Sequence, residues 1–310
     1  MAAWNDLLSE FNGQPDDAAR TAWFKAEFAS SLQRISTIRD DSNVLIYSSA
    51  FLHKPQAPAH KLQISPEDLN GFMSVVYGMS WSKPLTLLLH TPGGITNAAE
   101  TIVRYLRAKF PHIEVVVPAY AMSAGTMISL ASDRIIMGHQ SQLGPIDPQM
   151  PVGGGRFVSA RAVVDQFAKA KEEITDDLTL AHIWAPILQS LGPSLLQEAQ
   201  NALDYGERMV AEWLAEWMLK GDPHRVSKAA SIAEHFNDAT QHKSHGRRID
   251  RAEAASKGVV VEALEDDQDL QDAVLTVYHL ATILMEHSPA AKLMWTHHDR
   301  QWIMNWGAAP

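Results

Sequence analysis

Two short stretches of the chain carry residue types suited to acyl transfer, in which an oxygen nucleophile attacks a carbonyl carbon. The first stretch is the turn Thr91–Gly94, which follows the apolar run Leu85–Leu89. The second is Ser123–Gly125, which follows the apolar run Val115–Val117. In both places the pattern predicts a buried strand that leads through a turn of small residues into a helix.

The start of a helix favours this chemistry because its first backbone N–H groups have no partner within the helix. The helix dipole also favours negative charge there, and glycines such as Gly93 and Gly94 let the backbone approach a ligand closely. The pattern therefore places Ser123 where its hydroxyl can serve as an attacking oxygen, with donors at the first junction that can hold the oxyanion. The structural alternative is that Ser123 is a helix N-cap and that the glycines form a tight turn.

The region from Pro84 to Met150 also resembles a known family. It contains TPGG before a predicted helix, then VPAYAMSAGTMISLASDRIIMG, then LGPIDPQ. Together these motifs are similar to the serine dehydrogenase proteinase family of the ClpP/crotonase superfamily, a relative of signal peptide peptidase A. The resemblance implies a nucleophile at Ser123 and oxyanion donors at the backbone N–H groups of Gly94 and Ala124.

A serine nucleophile requires a base. The Clp protease subunit places a histidine in the segment similar to Gly144–Pro148, whereas Asp147 stands at that position here. The chain therefore departs from a Ser-His-Asp triad, and Asp147 is open to two interpretations, a turn between two prolines or a group that orients a partner. His139, the nearest histidine after Ser123, lies in a polar turn and is a weak candidate.

A Ser-Lys dyad is the expected substitute, because burial lowers the pKa of a lysine and makes it a base near neutral pH. A helix is predicted after Ser159, and four residues form an apolar stripe along it: Val164, Phe167, Ile174 and Leu178. Position 171 fills the gap in the spacing of this stripe. Lys171 is thus expected on a buried face and is the predicted base, unless it only extends from the edge of the stripe. Lys169 lies about 200° around the helix, is expected to face solvent, and is the second candidate.

Composition excludes several classes of function. The 310 residues carry a net charge of −10, which argues against nucleic acid or an anionic membrane as the main partner. The absence of cysteine excludes disulfides, thiolate metal sites and a cysteine nucleophile. No nucleotide-binding glycine loop is present, so no cofactor is predicted. No metal site is predicted either, because four histidines in a polar stretch lack ligand spacing and are expected to face solvent: His224, His235, His242 and His245.

The N-terminus lacks a basic region followed by an apolar core, and no run of about 20 apolar residues is free of charge and proline. We therefore expect a cytoplasmic protein without an integral membrane segment. An excess of apolar helix faces after residue 195 predicts a homo-oligomer. The residues of these faces are Leu195, Leu196, Trp213, Leu214, Trp217, Met218 and Leu219.

Strand and helix patterns alternate through the centre of the chain, which predicts an α/β fold with a ClpP/crotonase-like parallel sheet and flanking helices. We expect an N-terminal helical segment at residues 1–40, a core domain at 41–264 and a C-terminal helical segment at 265–310. A flexible loop is predicted at Pro151–Gly155, helix interruptions at Pro186 and at Gly192–Pro193, and a strand at Gly258–Val261. The tail is expected to pack its tryptophans on a neighbour: Trp295, Trp302 and Trp306.

The predicted function is a serine hydrolase that acts on peptides or proteins. A crotonase-like acyl-CoA enzyme is the alternative within the same fold, since it would use the two oxyanion donors without a covalent step. A non-catalytic assembly protein of this fold is the third hypothesis.

Overall fold

A computed structural model describes residues 3–152, 156–192 and 194–307. The chain forms two compact units. The first unit contains the residues up to Leu143 together with those from Ile249 onward, and the second contains Gly144–Arg248. Of the predicted flexible loop, Gly153–Gly155 fall outside the described residues, while Pro151 and Val152 belong to a strand.

The described residues contain eleven strands and thirteen α-helices. The strands are β1 Asn43–Ser49, β2 Leu85–His90, β3 Ile113–Val117, β4 Tyr120–Ala121, β5 Arg134–Met137, β6 Gln142–Leu143, β7 Gln149–Val152, β8 Arg156–Ser159, β9 Val261–Ala263, β10 Ala290–Thr296 and β11 Gln301–Asn305. The helices are α1 Trp4–Asn12, α2 Asp17–Ile38, α3 Ala59–Leu62, α4 Asp68–Val76, α5 Thr96–Arg107, α6 Ala124–Leu130, α7 Ala160–Asp176, α8 Ala181–Leu191, α9 Leu195–Trp213, α10 Arg225–Asn237, α11 Ala239–His242, α12 Arg251–Ser256 and α13 Gln268–His287.

The first unit is built on a seven-stranded sheet in the order β11-β10-β1-β2-β3-β5-β9. Strands β1, β2, β3, β5 and β9 run parallel, as the alternating pattern predicts. All residues of β1, β2 and β3 are buried on both faces, which explains the continuous apolar runs in the sequence. One face packs against α2 and α13, so that Phe28 and Val277 share a core with Ile46, Leu88 and Val116.

The C-terminal tail differs from the prediction. Residues 290–305 form the hairpin β10–β11, and β10 pairs antiparallel with β1. Trp295 is buried within the first unit, with its ring centroid 4.9 Å from that of Phe28. The predicted packing of this tryptophan on a neighbouring molecule is therefore wrong. The strand predicted at Gly258–Val261 is also shifted, since β9 begins at Val261.

The second unit contains the hairpin β7–β8 and the helices α7 to α11. Helix α7 packs on α9, which in turn packs on α10. Pro186 does not interrupt a helix but lies inside α8, and the break falls at Asp177, whose side chain accepts a hydrogen bond from the Thr179 N–H. Gly192 ends α8 with a φ of 81°, while Pro193 is outside the described residues.

Most of the apolar residues on which oligomerisation was predicted are buried within the chain. Five of the seven are in this class: Leu195, Trp213, Leu214, Met218 and Leu219. These side chains are therefore not a free apolar surface, and the expected homo-oligomer stays a prediction. None of the helices in the described ranges has the length and hydropathy needed to cross a membrane. The domain boundaries predicted at residues 40 and 264 also stay a prediction.

Candidate active site

The two motifs singled out in the sequence lie side by side at the carboxyl end of the first unit's sheet. Thr91, just after β2, forms a bridge with Ala121 of β4. The Thr91 N–H donates to the carbonyl of Tyr120 at 2.9 Å, and the Met122 N–H donates to the carbonyl of Thr91 at 3.1 Å. The backbones of the two junctions are therefore in direct contact.

Two glycines explain how the junctions come so close. Gly93 has a φ of 95°, and a Cβ added to it would lie 2.5 Å from the carbonyl oxygen of Met122 and 2.6 Å from the Cβ of Ser123. A Cβ on Gly125 would lie 2.5 Å from the Cγ2 of Thr91. Each motif therefore contributes a glycine at the point where the other motif touches it. The hydroxyl of Thr91 also accepts a hydrogen bond from the Gly93 N–H at 3.1 Å.

Ser123 occupies a strained position between β4 and α6. Its φ is 52° and its ψ is −116°, a conformation that costs a residue with a side chain about 1–3 kcal/mol. A sharp strand-to-helix turn of this kind is typical of nucleophilic serines, because it holds the hydroxyl out from the backbone. Within the described part of the chain the Ser123 hydroxyl makes no capping bond to α6, which removes the N-cap interpretation.

The residues assigned as oxyanion donors lie at the starts of the two helices. Ala124 is the first residue of α6, so its N–H is among those that find no partner inside the helix. Gly94 lies two residues before α5. The structure thus brings Ser123, Ala124 and the turn that contains Gly94 together in one unit.

The TPGG turn, defined as Thr91–Gly94, is held from its other side by Ile64. The Ile64 N–H donates to the carbonyl of Gly93 at 2.8 Å, and the Ile95 N–H donates to the carbonyl of Ile64 at 2.9 Å. A Cβ on Gly94 would lie only 2.3 Å from the Ile64 carbonyl oxygen. A side chain at Gly94 is therefore excluded by protein backbone alone.

The two lysines predicted as base candidates lie on α7, in the second unit. The buried side chains of α7 are Ala160, Val163 and Ala170, whereas Lys171 is exposed. The prediction that Lys171 lies on a buried stripe is therefore wrong by one position. Lys169 is exposed, as expected, with its Nζ 3.7 Å from Glu173 Oε1. His139 is also exposed.

A pair of side chains that sequence analysis did not connect lies elsewhere in the second unit. Asp147 is buried, and its Oδ1 is 2.7 Å from the Nδ1 of His245. The Gln149 amide donates to Asp147 Oδ2 at 2.7 Å. His245 and Asp147 line a cavity of about 400 Å³ together with Arg161 and Lys243. A carboxylate on Nδ1 fixes the imidazole ring and leaves Nε2 to exchange a proton.

The expectation that the four clustered histidines all face solvent is wrong for three of them. His245 is half-buried beside Asp147, and His235 and His242 are buried. The Nε2 of His242 lies 2.6 Å from the carbonyl oxygen of His235. His224 is exposed, as predicted.

His90 is a further buried histidine, at the last residue of β2 and directly before the TPGG turn. Phe51, Tyr120 and Tyr278 surround its ring, with centroids 5.0–5.8 Å away. Neither ring nitrogen has a hydrogen-bond partner among the described residues. Burial lowers the pKa of His90 to about 3, so this imidazole is neutral at physiological pH.

Comparisons with known proteins identify a family for this chain. The sequence model of the ClpP-like SDH-type serine proteinases matches residues 57–220. Two uncharacterized proteins of Methanocaldococcus jannaschii are each 31% identical to this chain. The match to the first covers 58% of this chain and 64% of the relative. The match to the second covers 62% of this chain and 59% of the relative. This chain therefore spans about three fifths of the length of each of these curated relatives.

Two solved structures are similar to this chain over part of its length. The 1510-N membrane-bound stomatin-specific protease is 19% identical, with a TM-score of 0.41 over 68% of this chain and 79% of that one. ClpP1 from Listeria monocytogenes is 17% identical, with a TM-score of 0.38 over 65% of this chain and 87% of that one.

Proposed function

Because the chain belongs to the family of ClpP-like SDH-type serine proteinases, we propose that it is a serine peptidase with Ser123 as nucleophile. The observation that carries this proposal is the strained backbone of Ser123, held against the TPGG turn at a strand-to-helix junction. Strain is retained in proteins mainly where it serves a function, and here it presents a hydroxyl that caps nothing.

In the proposed reaction the Ser123 Oγ attacks the carbonyl carbon of a peptide bond while a base takes the hydroxyl proton. The carbonyl oxygen becomes an oxyanion that accepts hydrogen bonds from the N–H groups of Gly94 and Ala124. Collapse of the tetrahedral intermediate breaks the C–N bond, and the base returns its proton to the leaving amine. Water then hydrolyses the acyl-enzyme by the same steps in reverse.

Two assignments of the base are open. The first is the Ser-Lys dyad with Lys171, or with Lys169 in its place, which the sequence suggested. The second is His245, favoured by one observation that the lysines lack, since a buried carboxylate already orients its ring. All three candidates belong to the second unit, so this assignment rests on their chemistry and is decided by mutation.

The first experiment is labelling with a fluorophosphonate probe, which forms a covalent bond with an activated serine. The wild type is expected to react and Ser123→Ala is expected not to. Ser129 provides a matched control, because it is a buried serine of the same helix whose hydroxyl donates to the carbonyl of Gly125. Ser129→Ala should keep its labelling. A folded wild type that does not react would favour the acyl-CoA enzyme or the assembly protein.

The second experiment separates the bases by the labelling rates of Lys171→Ala, Lys169→Ala and His245→Ala. Loss of a general base typically slows such a reaction by about 10²–10⁴-fold. Asp147→Asn is the informative companion, because it is expected to slow labelling only if His245 is the base. A normal rate in His245→Ala and Asp147→Asn, with a loss in Lys171→Ala, would establish the dyad.

We also propose that the protein is a cytoplasmic homo-oligomer that cleaves peptide or protein substrates without a cofactor. The proposed assembly surface differs from the one predicted from the sequence. It consists of exposed apolar side chains on α8 and just before it, namely Leu178, Ile183 and Ile187.

A further inference from the structure

The first unit contains an ion pair that is completely removed from solvent. Lys292, in the middle of β10, and Asp68, the first residue of α4, are each 0% exposed. The Lys292 Nζ lies 2.8 Å from Asp68 Oδ1 and 2.9 Å from Oδ2. The Tyr47 hydroxyl also donates to Asp68 Oδ2, at 3.1 Å.

A buried ion pair adds little net stability to a fold, because the cost of desolvating the charges offsets their attraction. Removing two charges from water costs several kcal/mol for each ion, and replacing such a pair with apolar residues of similar size is often neutral or stabilising. Burial lowers the pKa of Lys292, and the carboxylate of Asp68 opposes that effect. Core stability alone therefore does not account for this pair.

The hydrogen bonds around Asp68 lead directly to the TPGG turn. Asp68 Oδ2 accepts the backbone N–H of Ser65 at 2.8 Å, and Lys292 Nζ lies 3.3 Å from the Ser65 hydroxyl. The residue before Ser65 is Ile64, which is bonded on one side to Gly93 and on the other to Ile95. At the other end of this segment the Ser49 hydroxyl donates to the carbonyl of Leu62 at 2.6 Å.

The segment 62–65 is thus fixed at both ends by buried polar groups and holds the TPGG turn by backbone bonds at its centre. The conformation of Gly94 depends on this contact, because its Cα faces the Ile64 backbone with no room for a Cβ. A displacement of segment 62–65 would therefore move the Gly93 and Gly94 peptides.

We infer that Asp68 and Lys292 are positioning residues, which set the geometry of the TPGG turn through Ser65 and Ile64. Their catalytic consequence rests on the proposed function, since it requires the Gly94 N–H to face the oxyanion. Neither side chain touches a reacting atom in this scheme. Both act by fixing the direction in which the peptide groups of the turn point.

The test uses Asp68→Asn, Lys292→Met and the double variant that combines them. Each single change leaves one charge buried without its partner, whereas the double change removes both charges and keeps an oxygen that can accept the Ser65 N–H. Arg107→Met is the control, because it breaks another ion pair of the first unit with little solvent exposure, in which Arg107 Nη1 lies 2.7 Å from Asp133 Oδ2.

The first readout is hydrogen–deuterium exchange, which needs no activity. Peptides that cover 62–65 and 93–96 should exchange at least tenfold faster in both single variants, relative to α13 in the same molecule. The double variant should recover most of this protection. Equal acceleration in α13, or the same pattern in Arg107→Met, would overturn the inference, because the pair would then contribute only to global stability.

The second readout is the kinetics of fluorophosphonate labelling. The maximal labelling rate of the single variants should fall about tenfold to hundredfold with a probe half-saturation value within about twofold of the wild type, since orientation is lost but not binding. Faster exchange at the turn with an unchanged labelling rate would overturn the catalytic part of the inference. A wild type that never labels would instead refute the proposed peptidase, and the exchange result would still decide whether the pair positions the turn.

Discussion

A single methyl group tests whether the contact between the two motifs sets the geometry of the site. Gly125→Ala would place a Cβ 2.5 Å from the Cγ2 of Thr91, where ordinary contact begins at 3.4 Å. The helix and the turn must therefore separate by about 0.9 Å. Other atoms near the new Cβ are at ordinary distances, the nearest being the Cβ of Ala121 at 3.6 Å.

The expected magnitude follows from this one contact. Overpacking of a tight core site costs about 1–3 kcal/mol, and alanine regains up to about 1 kcal/mol over glycine in a helix. We expect Gly125→Ala to lose about 1–2 kcal/mol of unfolding free energy. A displacement near 1 Å at a catalytic centre can reduce the rate about 10²-fold, so the labelling rate of Ser123 should fall by one to two orders of magnitude.

Thr91→Ser supplies the rescue. Serine lacks the Cγ2 but keeps the hydroxyl that accepts the Gly93 N–H. The double variant Thr91→Ser/Gly125→Ala should therefore label and unfold like Thr91→Ser alone, with a coupling free energy of about 1–2 kcal/mol between the two positions. Chemical denaturation and labelling kinetics measure both quantities. A Gly125→Ala protein as active as the wild type, or a double variant without rescue, would refute the contact as the origin of the effect.

Four further outcomes are expected. Ser123→Gly should be about 1 kcal/mol more stable than Ser123→Ala by chemical denaturation, because glycine tolerates a positive φ; equal stability would argue against strain. Gly94→Val should fail to yield the native thermal transition, because its Cβ meets protein backbone; a native-like melting curve would contradict this. Between pH 7 and pH 5 the free energy of unfolding of the wild type should fall by about 2 kcal/mol more than that of His90→Phe. The reason is that His90 gains a proton below about pH 6.5 in the unfolded chain but only near pH 3 in the folded chain. Parallel pH profiles of the two proteins would show another cause. Light scattering should report an oligomer that Ile183→Glu weakens, and a monomeric wild type would refute assembly.

The parallel core could be predicted because each central strand is a short apolar run bounded by turn residues. Those runs are apolar throughout because both faces of the sheet are covered, as the packing of Leu88 and Val116 shows. The glycine and serine motifs were equally visible, since their local sequence dictates their conformation. The hairpin β10–β11 was missed because Lys292 interrupts its apolar pattern, and the partner of this lysine is 224 residues away.

The predicted burial of Lys171 was wrong for a different reason. The buried face of α7 includes Ala160 and Ala170, small residues that carry little weight in a pattern defined by Val164 and Ile174. The stripe was therefore placed one position too far along the helix, at Lys171. The contact between Asp147 and His245 spans 98 residues, and no local pattern indicates it. Contacts of this kind depend on the tertiary fold, which periodicity does not encode.

The position of β10 in the sheet has a consequence for how the chain is made. β1 leaves the ribosome early, and it pairs on one side with β2 and on the other with β10, whose residues are made more than 240 positions later. Until then one edge of β1 is open, with Val44 and Ile46 as part of an exposed apolar ribbon. Folding of this unit must therefore await the synthesis of β10, and a chain cut short before Ala290 should aggregate rather than persist as a smaller folded protein.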